Sequence, residues 1–186
     1  MSEINSIGLV EVSSVAIGYL AEDAMLKAAP VELLLARSIC SGKYLIVVAG
    51  DVASVNAAVD AGTAAAGGCI IEARRIPRVH PSVFPAIANT VDLDPSQFAS
   101  LGVVETFSAS SIIDVADAAA KCANVALLRV HLAMALGGKG FVLLTGDVSS
   151  VEAAVLAASQ VAAQEGVLVG RALIPAPSRE LLRDFV

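Results

Sequence analysis

Three cysteines, Cys40, Cys69 and Cys122, are the sequence's candidates for thiol chemistry, too few and too scattered for a disulfide scaffold. Iron–sulfur clusters need several thiolates converging on one point. One chain does not supply them through local spacing, because no C-x-x-C pair occurs. Cys40 stands apart from the other two. It lies in Ser38-Ile39-Cys40-Ser41-Gly42-Lys43, a turn between two β-rich runs, where Gly42 permits the sharp bend that presents a thiol at a loop tip. Read from the residues alone, a lone cysteine in a turn is an inert small hydrophobe. Cys69 opens the apolar run Cys69-Ile70-Ile71 and Cys122 sits in an alanine-rich helical stretch, so both read as structural.

The remaining candidates are weaker. Lys27 and Lys121 each follow an aspartate by four residues, the spacing of an exposed helical ion pair. The two histidines, His80 and His131, have no Asp, Glu or Cys cluster beside them and read as surface or packing residues. Gly137-Gly138-Lys139-Gly140 lacks the spacing of a phosphate loop, with Gly140 where Ser or Thr would bind magnesium, so it reads as a β-turn. Glu11 and Glu105 end apolar runs at equivalent places. They lack a neighbouring base or nucleophile and suit a structural role at strand ends. No convergent acid, base and nucleophile set marks an enzyme.

The elements that position these residues occur twice. Ile7-Gly8-Leu9-Val10-Glu11 returns as Leu101-Gly102-Val103-Val104-Glu105, and Asp23-Ala24 with Lys27 returns as Asp117-Ala118 with Lys121. Gly42-Lys43, Gly50-Asp51-Val52 and Ile76-Pro77 return as Gly138-Lys139, Gly146-Asp147-Val148 and Ile174-Pro175. A period near half the chain is too long for a solenoid and suits a small folded domain. In the first copy, Ser6 to Val12 reads as a strand and Val15 to Ala28 as a helix. Val31 to Ile39 and Tyr44 to Ala49 read as strands joined by the Cys40-Ser41-Gly42 turn. A second helix is capped by Asp51, and Cys69 to Ile76 forms a last strand. The order β-α-β-β-α-β predicts an α/β (α+β) ferredoxin-like split βαβ fold, twice. Residues 4–80 and 99–186 are the expected domains. The stretch 81–98, with Pro81, Pro85 and Asp94-Pro95, is the expected connector.

Composition bounds the partners. Hydrophobic residues make up 56% of the chain and aromatics 4%, so an aliphatic core or self-association is expected. A net charge of −6 argues against tracking a nucleic-acid backbone. No uninterrupted apolar stretch is long enough for a transmembrane helix, and the N-terminal residues lack a basic signal-peptide region. With only three scattered cysteines, the cytoplasm is the expected compartment.

These pieces resemble a known family, the bacterial microcompartment shell proteins. The resemblance rests on Ile7-Gly8-Leu9-Val10-Glu11, Ala24-Met25-Leu26-Lys27-Ala28-Ala29, Gly50-Asp51-Val52 and Ile76-Pro77-Arg78-Val79-His80. It covers nearly the whole chain, twice over. Ser38 to Lys43, Val79 to Val83 and Arg129 to Met134 are most similar to the tandem-domain type from propanediol-utilisation compartments. The resemblance implies a homotrimer of tandem domains, a pseudo-hexameric tile that packs edge to edge with other shell proteins around encapsulated enzymes. It implies that Cys40, with Ser41 and Gly42 on the pore loop, meets its two symmetry copies at the central axis. Those three thiolates would ligate one [4Fe–4S] cluster per trimer, for electron transfer across the shell or for cluster delivery. Ser41 stands where that type carries a proline. The resemblance makes Lys27, Lys121 and Arg78 tile-edge contacts, with Ala176 in place of the second arginine. A tile without a cluster, passing a small metabolite through its pore, is the alternative. A ferredoxin-like enzyme or sensor binding a small ligand is a further one.

Overall fold

The computed structural model describes residues 4–92, 98–178 and 180–181. Part of the expected connector, including Asp94-Pro95, and the end of the expected second domain lie outside the described residues. The chain divides into two compact units, Met1–Val79 and His80–Val186.

In the first unit the order is β1 (Ser6–Val12), α1 (Val15–Ala28), β2 (Glu32–Ile39), β3 (Lys43–Gly50), α2 (Val52–Ala66) and β4 (Ile70–Ile76). The sheet order is β2-β3-β1-β4, with every neighbouring pair antiparallel. This is the ferredoxin-like arrangement expected from the sequence. Ser14 caps α1 by accepting a hydrogen bond from the N–H of Ile17, and Asp51 caps α2 by accepting one from Ser54 at 2.8 Å. Both helices lie on one sheet face. Val10, Val12, Tyr44, Ile46 and Val48 meet Met25, Val55, Ala58 and Val59 in an aliphatic core. The contact is close because Gly8 has no side chain: a Cβ there would lie 2.6 Å from Val59 Cγ2. The last strand starts one residue later than expected. Gly67 adopts a left-handed φ of 51°, and Cys69 falls in the 3₁₀ turn Gly67–Cys69 before β4.

The second unit repeats the plan with β5 (Ser100–Thr106), α4 (Ser111–Cys122), β6 (Ala126–Leu132), β7 (Gly140–Gly146), α5 (Val148–Gln164) and β8 (Leu168–Pro175), in sheet order β6-β7-β5-β8. Even the bulges are duplicated. Register shifts fall at Glu11/Val12 and Glu105/Thr106, and at Leu33/Leu35 and Leu127/Arg129. One element has no counterpart among the expected ones. Within the stretch read as connector, α3 (Val83–Ala88) buries Val83, Ala86 and Ile87 and packs on β6 and α4. Pro81 and Pro85 obscured it: proline signals a break in a sequence, yet it is tolerated in a helix's first turn, whose N–H groups have no intrahelical partner.

Candidate functional site

Cys40 opens a one-turn 3₁₀ segment, Cys40–Gly42, that closes the β2–β3 hairpin over the Ile39–Lys43 strand pair. The side chain is half-buried, while Ser41 and Gly42 are exposed. The backbone turns through two successive left-handed residues, Ser41 at φ 64° and Gly42 at φ 73°. Glycine takes this conformation freely and serine at a cost. Proline, locked near −65°, does not reach it. The turn seen here is therefore one that a proline at position 41 would abolish.

Two polar contacts mount this turn on the domain. Lys43, the first residue after it, places Nζ 2.8 Å from Glu11 Oε1, and the Glu11 carboxylate is buried. Tyr44 follows, with its ring against Gly18, where a Cβ would come within 2.5 Å of it. Its hydroxyl donates to Glu22 Oε2 at 2.9 Å, and its ring lies 5.0 Å from that of Tyr19. Burial, then the Glu22 contact, pushes the Tyr44 phenol well above its ordinary range, so it stays a donor. The Glu11 pairing was not legible as such from the sequence. Its signal was the duplication itself, since Lys43 and Lys139 recur with Glu11 and Glu105.

The second unit carries the equivalent hairpin without a cysteine. Its turn is longer and runs through Ala133, Ala135, Gly137 and Gly138, all with positive φ. His131 Nε2–H donates to the Met134 carbonyl at 2.8 Å while its ring stacks on Phe141 at 4.8 Å. His131 is thus a packing residue. Lys139 Nζ lies 3.0 Å from Glu105 Oε1 and 5.8 Å from the centre of the Phe107 ring. The stretch 137–140 is a turn leading into β7.

The other expected residues fall at separate places. Lys27 and Lys121 are exposed on α1 and α4, each 2.6 Å from its aspartate, Asp23 or Asp117. Asp117 is doubly engaged, because its Oδ1 also accepts the backbone N–H of His80 at 2.7 Å. His80 Nδ1 accepts from the Ser82 hydroxyl at 2.8 Å. Arg78 is exposed just after β4 at φ 54°, and Ala176 holds the matching place after β8 at φ 48°. Cys69 packs against the helix-side core of the first unit. Cys122 ends α4, with its thiol 3.8 Å from the Ala153 carbonyl. A shallow groove between α5 and β8, lined by Glu152, Val155, Leu156, Arg171, Ala172 and Leu173, is mainly apolar.

Among the described residues, no group of three or more His, Cys, Asp or Glu side chains is placed to hold a metal ion. The donor set of one chain is therefore a single thiol at a hairpin tip. A cluster with three protein ligands fits it only where three copies of Cys40 converge.

The family profile for the BMC domain matches residues 6–79 and 100–177. The chain is 43% identical over 181 residues to the bacterial microcompartment shell protein PduT of Citrobacter freundii, covering 97% of each protein. Over 77 residues it is 46% identical to the bacterial microcompartment shell protein EutK of Salmonella typhimurium, covering 40% of this chain and 47% of that one. Its fold superposes on a crystal structure of a microcompartment protein from Desulfitobacterium hafniense with a TM-score of 0.94 at 46% identity. That match covers 97% of this chain and 99% of the other.

Proposed function

This chain belongs to the BMC domain family, as a tandem-domain bacterial microcompartment shell protein of the PduT type, and we propose that it is a homotrimeric tile whose axis carries one [4Fe–4S] cluster on Cys40. The observation that carries the cluster is an asymmetry between the copies. The strand and helix order and the Lys–Glu pair beneath the hairpin are duplicated, but only the first hairpin presents a thiol, on a turn clamped by Lys43–Glu11 and Tyr44–Glu22. Three chains then bring three thiolates together, the number that leaves one iron open to exchange. Three thiolates in close array repel one another and need a cationic centre to stay deprotonated.

When bound, such a cluster supplies one-electron redox capacity. The chain's own residues do the rest: Cys40 ligates, Gly42 and Ser41 shape the turn, and the ion pair beneath fixes its base. The role is structural and conductive, not catalytic: electron passage across the shell or delivery of clusters to enclosed enzymes. Lys27, Lys121 and Arg78 sit at the tile edges, where ammonium and guanidinium groups donate to carbonyls of the neighbouring tile. The left-handed Ser41, in a conformation closed to proline, favours a second reading in which the same tile carries no cluster and its axis passes a small metabolite.

Iron and sulfide per trimer after anaerobic reconstitution separate the two. The cluster predicts about four irons per trimer, none in Cys40→Ser, and full loading in Cys69→Ser and Cys122→Ser. Equal iron in the parent and Cys40→Ser refutes it.

A further inference from the structure

The two copies treat the same edge of their sheets differently. β4 and β8 are both edge strands, each hydrogen-bonded to a single neighbour. An open strand edge invites pairing with another chain, and charged side chains on the edge strand discourage it. β4 carries Glu72, Arg74 and Arg75. The registers set these opposite Glu11, Leu9 and Gly8. In the second unit, Gly170, Ala172 and Leu173 stand opposite Glu105, Val103 and Gly102. Every charge that guards β4 is thus absent from β8. The helix bank has changed in step. Arg75 reaches across the groove beside β4 to pair with Asp60 of α2. Val59 and Val155 hold the same place against Gly8 and Gly102, so Asp60 corresponds to Leu156. The Asp60–Arg75 ion pair has become Leu156 and Leu173.

What remains in the second unit is an open groove of about 250 Å³ between α5 and β8. Its middle is apolar, with Leu156 47% exposed beside Val155, Ala172 and Leu173. α5 leads through a short turn into β8 and packs beside it, so the two run in opposite directions. Glu152, early in the helix, therefore marks the Pro175 end of the groove, and Arg171 marks the other. Both are exposed, and neither makes an ion pair among the described residues. The backbone edge is open as well. The Ala176 N–H donates to the Ala99 carbonyl at 3.1 Å. Residues of an antiparallel pair alternate between facing the partner strand and facing away. Counted back by twos from Ala176, Ile174 and Ala172 face β5, and the N–H and C=O of Leu173 and Arg171 point outward.

We infer that the second unit takes an extended peptide segment of a partner protein as an added strand along β8, its inward side chains laid in the α5 groove. Backbone bonds to Leu173 and Arg171 hold the segment, and the groove selects its sequence. Side chains on one face of a strand recur at every second residue. In a segment antiparallel to β8, a base comes beside Glu152. The apolar residue two positions on lies between Leu156 and Leu173, and an acid two further on pairs with Arg171. The pattern is base-x-apolar-x-acid. The matching groove of the first unit does not take it, because Asp60–Arg75 spans that groove and charges line the edge. The site lies wholly within the second unit and depends on neither Cys40 nor the trimer.

The test titrates the full chain into a fluorescein-labelled peptide, Thr-Lys-Thr-Leu-Thr-Glu-Thr, and follows anisotropy. Saturable binding is expected. Arg171→Glu should weaken it about tenfold, the worth of a charge-assisted hydrogen bond. A peptide with Lys in place of its Glu should restore binding to that variant. Leu156→Asp with Leu173→Arg rebuilds the ion pair of the first unit and should abolish binding, with the circular dichroism of the parent retained. N-methylation of the peptide's Leu and Glu amides should also abolish it, since the outward carbonyls of β8 then lose their donors. Where the double variant does not fold, the N-methylated peptide and a peptide with Asp in place of Leu decide the matter on the parent chain. No saturable binding by the parent overturns the inference. So does binding that survives closure of the groove, N-methylation or loss of the peptide's Leu.

Discussion

Removing Lys43 should hurt far more than removing its duplicate, Lys139. The two ion pairs look alike in distance, 2.8 and 3.0 Å, but Glu11 is 8% exposed by side chain and Glu105 is 34% exposed. Glu11 also sits opposite another carboxylate, Glu72, in the β1–β4 pairing, whereas Glu105 faces Gly170. Glu72 is itself neutralised by Arg74 at 3.1 Å. In Lys43→Met the Glu11 carboxylate stays buried beside a like charge with its cation gone. Leaving a buried charge unpaired costs about 3 kcal/mol. In Lys139→Met the freed carboxylate reaches water, and the loss is about 0.5 kcal/mol. Because the chain has two units, the variants are compared by urea midpoint at one protein concentration. The double variant Glu11→Gln, Lys43→Met should recover most of the loss, since it removes the stranded charge and not merely the contact. Equal midpoints for Lys43→Met and Lys139→Met, or no recovery in the double variant, would refute the reasoning.

Other consequences are smaller. Ala176 holds a left-handed φ of 48°, so Ala176→Gly should stabilise the second unit by about 0.5 kcal/mol, read by thermal melting; a lower melting temperature counts against strain there. Asp147 caps α5, and hydrogen bonds from Ser149, then Ser150, hold its carboxyl down at about 2. Its folded pKa lies below the unfolded value of about 3.9, so its stabilisation is complete above that value and is lost as pH falls through about 2. Asp147→Asn should make the melting temperature depend less on pH across that acid range. On the proposed tile, Lys27→Asp with Lys121→Asp should keep the circular dichroism of the parent, yet electron microscopy should show fewer extended sheets; unchanged sheets would remove both lysines from the tile edge.

The sequence by itself determined the duplicated β-α-β-β-α-β order, because strand alternation, helix caps at Asp51 and Asp147 and the Gly42 turn are local signals that repeat in register. It also placed Cys40 alone in a turn between two strands, but the residues by themselves read it as an inert thiol, and only the family resemblance made it a candidate ligand. Helix α3 was not legible. Its two prolines imitate a linker, and only burial of Val83, Ala86 and Ile87 against β6 and α4 makes a helix of it. The unequal worth of Glu11 and Glu105 was equally hidden. Identical residue types at equivalent positions differ in exposure because of which residues cover them, and cover is set by the packing of distant strands. The difference between Asp23 and Asp117 has the same origin. Both are four residues before a lysine, but the N–H that Asp117 accepts comes from His80, 37 positions away. Such a contact is decided where the chain returns, and no local pattern in the sequence encodes it.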